Sequence, residues 1–293
     1  MSKPIGLQRA WGTPISIEMS LEGAGGVVFV LGVLAGRVGG SVMALTAMIA
    51  GLVCIALATL VLIFDLGMPL RAPFVFLNPR SPMSLGAYSL LLFAALGVLT
   101  GAFWVFGWPK TGLYLIVAAL ASVFAAGVVL YPGFVLGVCK GVPLWRSSLL
   151  PVIFAATAIA SGLGLYLTLA AILHLAGAGL AGPLGSLGTL SQWTLLAVAA
   201  ATLIVLSNLV LLRATPTGAR SVAAFVRHAA FWPSVLLGVI LPLVILSLAP
   251  ASAVVALAAG VASLLGWFGI RHLFLSGAAM EPMQAMGAAI LPL

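Results

Sequence analysis

The acidic residues of this chain are few and unevenly placed. Only four of its 293 residues are Asp or Glu, and three of them, Glu18, Glu22 and Asp65, fall in the first quarter of the sequence. Glu18 and Glu22 are four residues apart, a spacing that places both side chains on one stripe of an α-helix. An ionised carboxyl group among apolar residues is costly and usually marks a function, such as exchange of a proton with a bound molecule. These three residues are therefore the first candidates for a site.

The composition indicates that the elements carrying these acids are membrane-spanning helices. The chain is 63% hydrophobic and 5% charged, whereas about a quarter of the residues of a soluble domain are charged. Apolar runs of about 20 residues, long enough to cross the hydrocarbon core of a bilayer, recur along the sequence. We predict an all-α polytopic membrane protein, a single integral membrane domain over residues 1–293, with its helices arranged as two four-helix bundles.

The apolar runs are separated by short loops. We expect the first one to be a retained span, because the basic N-terminal residues are not followed by the uninterrupted apolar core of a signal peptide. The eight predicted transmembrane helices cover residues 18–38, 42–64, 84–107, 112–136, 149–175, 191–212, 229–248 and 251–274.

Lysine and arginine divide unequally between the two sides that these spans define. Ten of the twelve, including Arg271 near the end of the last span, fall at the termini or in the loops after helices 2, 4 and 6. Only Arg37 and Lys110 fall on the opposite side. Basic residues accumulate on the cytoplasmic side of membrane proteins, so both termini are predicted to be cytoplasmic.

An antiparallel hairpin of the first two helices brings the acids together. Asp65 ends helix 2 and therefore lies at the membrane depth of Glu18 and Glu22, next to a loop that carries Arg71 and Arg80. A structural role is the alternative: Glu18 can anchor helix 1 at the headgroups, and Asp65 can simply pair with Arg71. The glycines that follow Glu22 permit either close helix packing or room for a flat ligand.

Other ionisable groups argue against several classes of site. The two cysteines are too few for a cluster with four thiolate ligands. The three histidines fall near predicted helix ends, where basic anchors are common, so we expect no haem. The net charge of +8 comes without a basic run, which argues against nucleic-acid binding. Membrane lipid is the expected surrounding.

Two stretches carry a family resemblance. Pro14-x-x-x-Glu18-x-x-x-Glu22-Gly-x-Gly-Gly lies in helix 1, and Asp65-Leu-Gly-x-Pro-x-Arg71 is followed by Asn78-Pro-x-Ser-Pro-Met-Ser84. In order and spacing they resemble the NrfD / polysulfide-reductase membrane-subunit family, and together they cover about a quarter of the chain. Some members carry His or Asn in helix 1 where this chain has Glu, so ligand contacts do not transfer directly.

The resemblance implies an oxidoreductase complex subunit of a bacterial or archaeal cell membrane that serves electron transport, for example in anaerobic respiration. Such subunits bind a quinone, either menaquinone or ubiquinone, and exchange electrons with a ferredoxin-like four-cluster iron–sulfur subunit. That partner connects to a molybdopterin-type catalytic subunit, whose substrate this chain does not reveal. The quinone-binding candidates here are Glu18, Glu22, Asp65, Arg71 and Tyr131.

The implied roles differ among these residues. We expect either Glu22 or Asp65 to trade a proton with the quinone as the catalytic acid, while Arg71 holds Asp65 or the loop in place. The rigid proline-rich loop is the candidate surface for docking the iron–sulfur partner, through Arg71, Phe74, Phe76, Asn78 and Arg80. A secondary transporter of a small solute is the rival function, since few charges and many glycines and prolines suit that class.

Overall fold

The computed structural model describes residues 11–39, 41–65, 69–108, 111–180 and 182–277. The chain is 85% helical and has no strands in these ranges. Eight of the described helical segments are long and apolar enough to cross a membrane. This confirms the all-α class and the number of predicted spans.

The elements follow one another through short connections. The described residues form the α-helices α1 (Thr13–Arg37), α2 (Ser41–Asp65), α3 (Pro82–Val105), α4 (Gly112–Gly137), α5 (Leu150–Leu175), α6 (Leu187–Leu212), α7 (Pro216–Arg227), α8 (Phe231–Val235), α9 (Leu241–Leu248) and α10 (Ala253–Ser276). A π-helical turn, Leu236–Ile240, joins α8 to α9, so these three pieces make a single span, Phe231–Leu248. Short 3₁₀ helices lie at Pro69–Leu77, Pro143–Trp145 and Pro183–Gly185.

Helix α1 begins at Thr13, five residues earlier than predicted. Pro14 occupies its first turn, where the missing backbone N–H would have no intrahelical partner in any case. Glu18 therefore lies inside the helix rather than at its first residue. The predicted bounds began at residue 18, although the motif that starts at Pro14 was assigned to this helix.

Three features of the fold were not predicted from the sequence. The loop after α2 is a 3₁₀ helix, and the amphipathic α7 lies between two spans. The seventh span contains a π-helical turn just before Pro242. A proline cannot donate a hydrogen bond to the preceding turn, and such local widening is one way in which a helix accommodates it.

Helix α1 is the centre of the bundle. It packs against α2 and α4 from the first half of the chain and against α5 and α10 from the second half. Within its apolar 18-residue stretch, 67% of α1 is buried inside the protein, against 22% for the corresponding stretch of α3. Because α1 contacts both halves, the predicted arrangement as two four-helix bundles is not confirmed.

Small residues allow α1 to approach its neighbours closely. A Cβ atom on Gly51 of α2 would lie 2.7 Å from the backbone oxygen of Gly25 and 2.7 Å from Cβ of Phe29. Gly25 and Gly26 in turn face Cys54 of α2 and the α4 backbone at Ala125. Protein atoms thus occupy the space beside these glycines, which supports the packing role rather than the role as room for a ligand.

We expect Gly51→Ala to destabilise the protein by about 1–3 kcal/mol, because the added methyl group overpacks the contact between α1 and α2. Gly101→Ala is the matched control, since a Cβ there would meet nothing within 4 Å. Thermal melting in detergent measures the difference. Equal melting temperatures for the two variants would contradict the close α1–α2 contact.

Candidate functional site

The two glutamates of helix 1 lie inside the protein. Glu18 is 3% exposed and Glu22 is fully buried, and both belong to a transmembrane helix. Their spacing of one helical turn aims both side chains toward α4, as the hydrogen bonds below show. The structure therefore does not place Glu18 as a solvated anchor at the headgroups.

Tyr131 of α4 links the two carboxyl groups. Its hydroxyl lies 2.9 Å from Oε1 of Glu18 and 2.7 Å from Oε2 of Glu22. Gly86 of α3 makes room for the tyrosine ring, since a Cβ on that glycine would overlap it. The sequence singled out Tyr131 as a hydrogen-bond partner of a quinone, and the structure places it between the two glutamates.

The proton count of this cluster follows from the geometry. A phenol has a single hydroxyl proton and can donate it to only one of the two carboxyl groups in a linear hydrogen bond. The second short contact needs a proton on the other carboxyl group, which then donates to the tyrosine oxygen. Glu18, Tyr131 and Glu22 therefore form a hydrogen-bonded chain that holds at least one carboxyl proton.

One oxygen of this chain has no partner. Oε1 of Glu22 is buried and makes no hydrogen bond, and the hydroxyl of Ser20 is in the same situation. Buried polar atoms are nearly always paired with protein or with ordered water. An acceptor left open at the inner end of a hydrogen-bonded chain is suited to a water molecule or to a proton-donating ligand.

Asp65 lies at the edge of the bundle, beside this cluster. It is exposed and lines a groove of about 340 Å³ together with Thr13, Pro14, Ile17, Val61 and Phe64. The charge of Asp65 acts on Glu18. The start of α1 and the end of α2 therefore bring all three predicted acids to one end of the bundle, with Asp65 outside and the glutamates inside.

The groove suits a flat, mostly apolar ligand with a polar edge. Five of its six lining residues present apolar or hydroxyl groups, and Asp65 supplies the one carboxylate. Its volume falls within the range of about 300–1,000 Å³ that is usual for small-molecule sites. A quinone ring fits this description, with Asp65 as the lining group able to bond one of its oxygens.

Arg271 is a functional candidate that the sequence prediction missed. It was counted among the cytoplasmic basic residues, but it lies within α10 with 2% of its surface exposed. Its guanidinium donates to Oγ1 of Thr157 at 2.9 Å and to the carbonyl of Phe154 at 3.0 Å, both on α5. It also donates to the carbonyls of Met19 and Ser20 on α1, at 3.2 and 3.4 Å. The signal was available, because Arg271 falls inside an otherwise apolar segment long enough to span the membrane.

The proline-rich segment after α2 is partly exposed. Phe74 is 63% exposed, and Asn78 and Arg80 are exposed as well. Phe76 instead turns inward, with its ring 5.0 Å from that of Tyr88 in an edge-to-face contact. Of the predicted docking residues, Phe76 is thus mainly a packing residue, while the side chain of Arg71 lies outside the described part of the structure.

Two histidines meet at the same end of the bundle. Nδ1 of His272 lies 2.9 Å from Oγ of Ser16 on α1, and its ring centre is 6.3 Å from that of His228. Both are half-buried, which is compatible with the predicted role as basic anchors at the interface. Among the described residues, no three His, Cys, Asp or Glu side chains are grouped to hold a metal ion.

Comparison with known proteins extends the resemblance beyond the first two helices. The family model described as "Polysulphide reductase, NrfD" matches residues 5–282, nearly the whole chain. No curated protein matches the chain. The family implies a membrane subunit of polysulfide-reductase-like oxidoreductase complexes. With eight apolar spans and a match of this extent, the chain belongs to the NrfD family.

Proposed function

We propose that this chain is the quinone-reactive subunit of a respiratory oxidoreductase complex. It binds a quinone or quinol in the groove between α1 and α2 and exchanges electrons with an iron–sulfur subunit docked at the same end of the bundle. The observation that carries this proposal is the hydroxyl of Tyr131, placed between two buried carboxyl groups at the end of the bundle where the groove lies. Family membership supports the complex as a whole.

The groove supplies binding and proton exchange. A quinol that is oxidised there releases both hydroxyl protons and a pair of electrons. Asp65 lines the groove and can accept a proton or return one to water, because it is exposed. Glu18 lies behind it, and the chain through Tyr131 to Glu22 offers a path for a proton away from the groove. Carboxyl groups within hydrogen-bond reach of a reacting hydroxyl are effective general bases.

The partner is proposed to dock on the segment that follows α2. The 3₁₀ helix starts at Pro69, four residues after Asp65, so the docking surface adjoins the groove. Phe74 and Leu77 expose 63% and 75% of their surfaces there. A ferredoxin-like four-cluster subunit bound at this place would hold an electron acceptor near the groove, and a molybdopterin-type catalytic subunit would join through it.

The complex is proposed to lie in a bacterial or archaeal cell membrane with both termini of this chain in the cytoplasm. The burial of Arg271 lowers the basic count on that side by one, which leaves nine against two. The arginines around α7, including Arg220 and Arg227, are exposed on the end that carries the site. The docked catalytic module is then cytoplasmic as well.

Tyr131→Phe is expected to lower quinol-dependent electron transfer in the assembled complex by about 100-fold, a usual loss when a proton-transferring group is removed. The matched control is Tyr114→Phe in the same helix, about 25 Å away along its axis. It also removes a buried hydroxyl, which accepts a hydrogen bond from Trp104 at 2.9 Å. The measurement is the initial rate with a soluble quinol analogue. Equal rates for the two variants would exclude a role of the hydrogen-bonded chain Glu18–Tyr131–Glu22 in quinol oxidation.

Phe74→Ser is expected to weaken the binding of the iron–sulfur subunit by about tenfold, because exposed aromatic residues are frequent anchors of protein interfaces. Phe106→Ser is the control, since Phe106 is 69% exposed at the other end of α3. Copurification and titration of the partner subunit give the affinity. If both variants lose binding, or if neither does, the segment is not part of the interface.

The orientation can be tested by thiol labelling of intact cells in a variant whose two native cysteines are replaced by alanine. A membrane-impermeant reagent should label Trp108→Cys, at the end of α3, and should leave Arg220→Cys in α7 unlabelled until the cells are opened. Both positions are exposed in the structure. The reverse pattern would place the termini and the site on the outer side.

A further inference from the structure

We infer that Arg271 is the buried counter-charge of the Glu18–Tyr131–Glu22 chain and keeps it at a single negative charge. In this arrangement one glutamate is ionised and the other is protonated before any ligand binds. Arg271 acts as a positioning residue: it does not touch the groove, but it sets the number of protons that the chain holds. The proposal extends the proposed function by stating how the site is prepared.

The hydrogen-bond partners of Arg271 carry no charge. They are one hydroxyl, on Thr157, and the backbone carbonyls of Phe154, Met19 and Ser20. These acceptors satisfy the donors of the guanidinium, but they do not neutralise it. A buried ion without an opposite charge is strongly unfavourable, so an anion is needed in the same interior.

The guanidinium lies against the turn of α1 that carries Glu22. A Cβ on Gly23 would be 2.5 Å from Nη1 and 2.6 Å from Nη2 of Arg271, so only glycine leaves space for it there. The carbonyls of Met19 and Ser20 that it bonds belong to the same turn. The charge of Arg271 consequently acts on Glu22.

Within the described ranges, no other acidic group is as well placed to balance Arg271. The segments 112–137 and 150–175, which form α4 and α5, contain no Asp, Glu, Lys or Arg. On α10, His272 turns toward Ser16. Asp65 on α2 is exposed to solvent at the groove and acts on Glu18. Among the acidic residues that the structure describes, the two buried glutamates are therefore the ones that can supply the anion opposite Arg271.

The hydrogen bonds of Tyr131 determine how many protons the two glutamates hold. Its contacts of 2.9 and 2.7 Å with the two carboxyl groups require a proton on one of them. With the second glutamate ionised, the chain carries one negative charge, which matches the one positive charge of Arg271. Both short contacts and the buried guanidinium are then accounted for by a single arrangement of protons.

With one glutamate ionised and the other protonated, the hydrogen-bonded chain can accept one further proton. If the proposed function holds, the ionised carboxyl takes one quinol proton as the O–H bond of the hydroxyl breaks. The second proton leaves through another base, for which Asp65 at the groove is available, and the electron pair passes to oxidised clusters of the iron–sulfur partner. Arg271 thus limits the buried chain to one proton per turnover.

Infrared spectroscopy of the full chain without quinone tests the proton count, because protonated carboxyl groups have their own carbonyl-stretch band. The double variant Glu18→Gln/Glu22→Gln supplies the background. Wild type should show this band, and Glu22→Gln should lose it, since the remaining glutamate stays ionised opposite Arg271. Arg271→Gln should roughly double the band, because a buried carboxyl without a counter-charge takes up a proton.

The combination Glu22→Gln/Arg271→Gln should restore a band like that of wild type, which a purely structural role of Arg271 would not produce. A wild-type spectrum without the band, or an unchanged band in Glu22→Gln, would overturn the proposal. Glu18→Gln also leaves Arg271 in place and should lose the band too. Loss in both single variants means that whichever glutamate remains is ionised, so this pair decides the question even if Arg271→Gln does not fold. The quinol turnover of Tyr131→Phe is measured separately and tests the proposed function by itself.

Discussion

Two carboxyl groups and a guanidinium lie inside a bundle of apolar helices, and much of the structure depends on how their charges are neutralised. Glu18, Glu22 and Arg271 are 3%, 0% and 2% exposed. Ions in such a place are retained only when opposite charges and hydrogen bonds compensate for the lost water. The tyrosine between the glutamates and the four acceptors around the arginine provide the hydrogen bonds, and the opposite charges of the glutamate pair and the arginine are proposed to provide the rest.

The packing of α1 follows from the same requirement. A helix that carries two buried acids must be surrounded by protein, and α1 contacts α2, α4, α5 and α10. Its glycines let these helices approach: Gly23 accommodates the arginine of α10, Gly25 faces α2, and Gly26 faces α4. Glycine in a helix interior lowers helix propensity, but here each lost side chain is replaced by a contact with a different neighbour. The central position of α1 is thus a consequence of its polar residues as well as its apolar ones.

The candidate site combines one exposed acid with two buried ones. The groove lies between the start of α1 and the end of α2, at the edge of the bundle. Asp65 is accessible there, while Glu18 and Glu22 are buried inside the bundle. The segment proposed to dock the electron-transfer partner begins at Pro69, just beyond Asp65. The proposed places of proton exchange and of electron transfer are therefore close together.

Patterns in the sequence were enough to predict the class of the protein, the eight spans, the meeting of Glu18, Glu22 and Asp65 at one end, and the family. These properties rest on local features: apolar length, helical spacing, the antiparallel order of consecutive spans, and short stretches of characteristic residues. Which side chains face each other across distant helices depends on the folded structure. Arg271 is separated from Met19 by 252 residues; its place inside an apolar segment indicates burial but does not identify the groups that it bonds. Helix rotation and packing likewise decide the inward turn of Phe76, the central place of α1 and the position of Tyr131 between two carboxyl groups. The sequence of an almost wholly apolar helix does not specify its rotation, because nearly every face of it is suited to burial or to lipid.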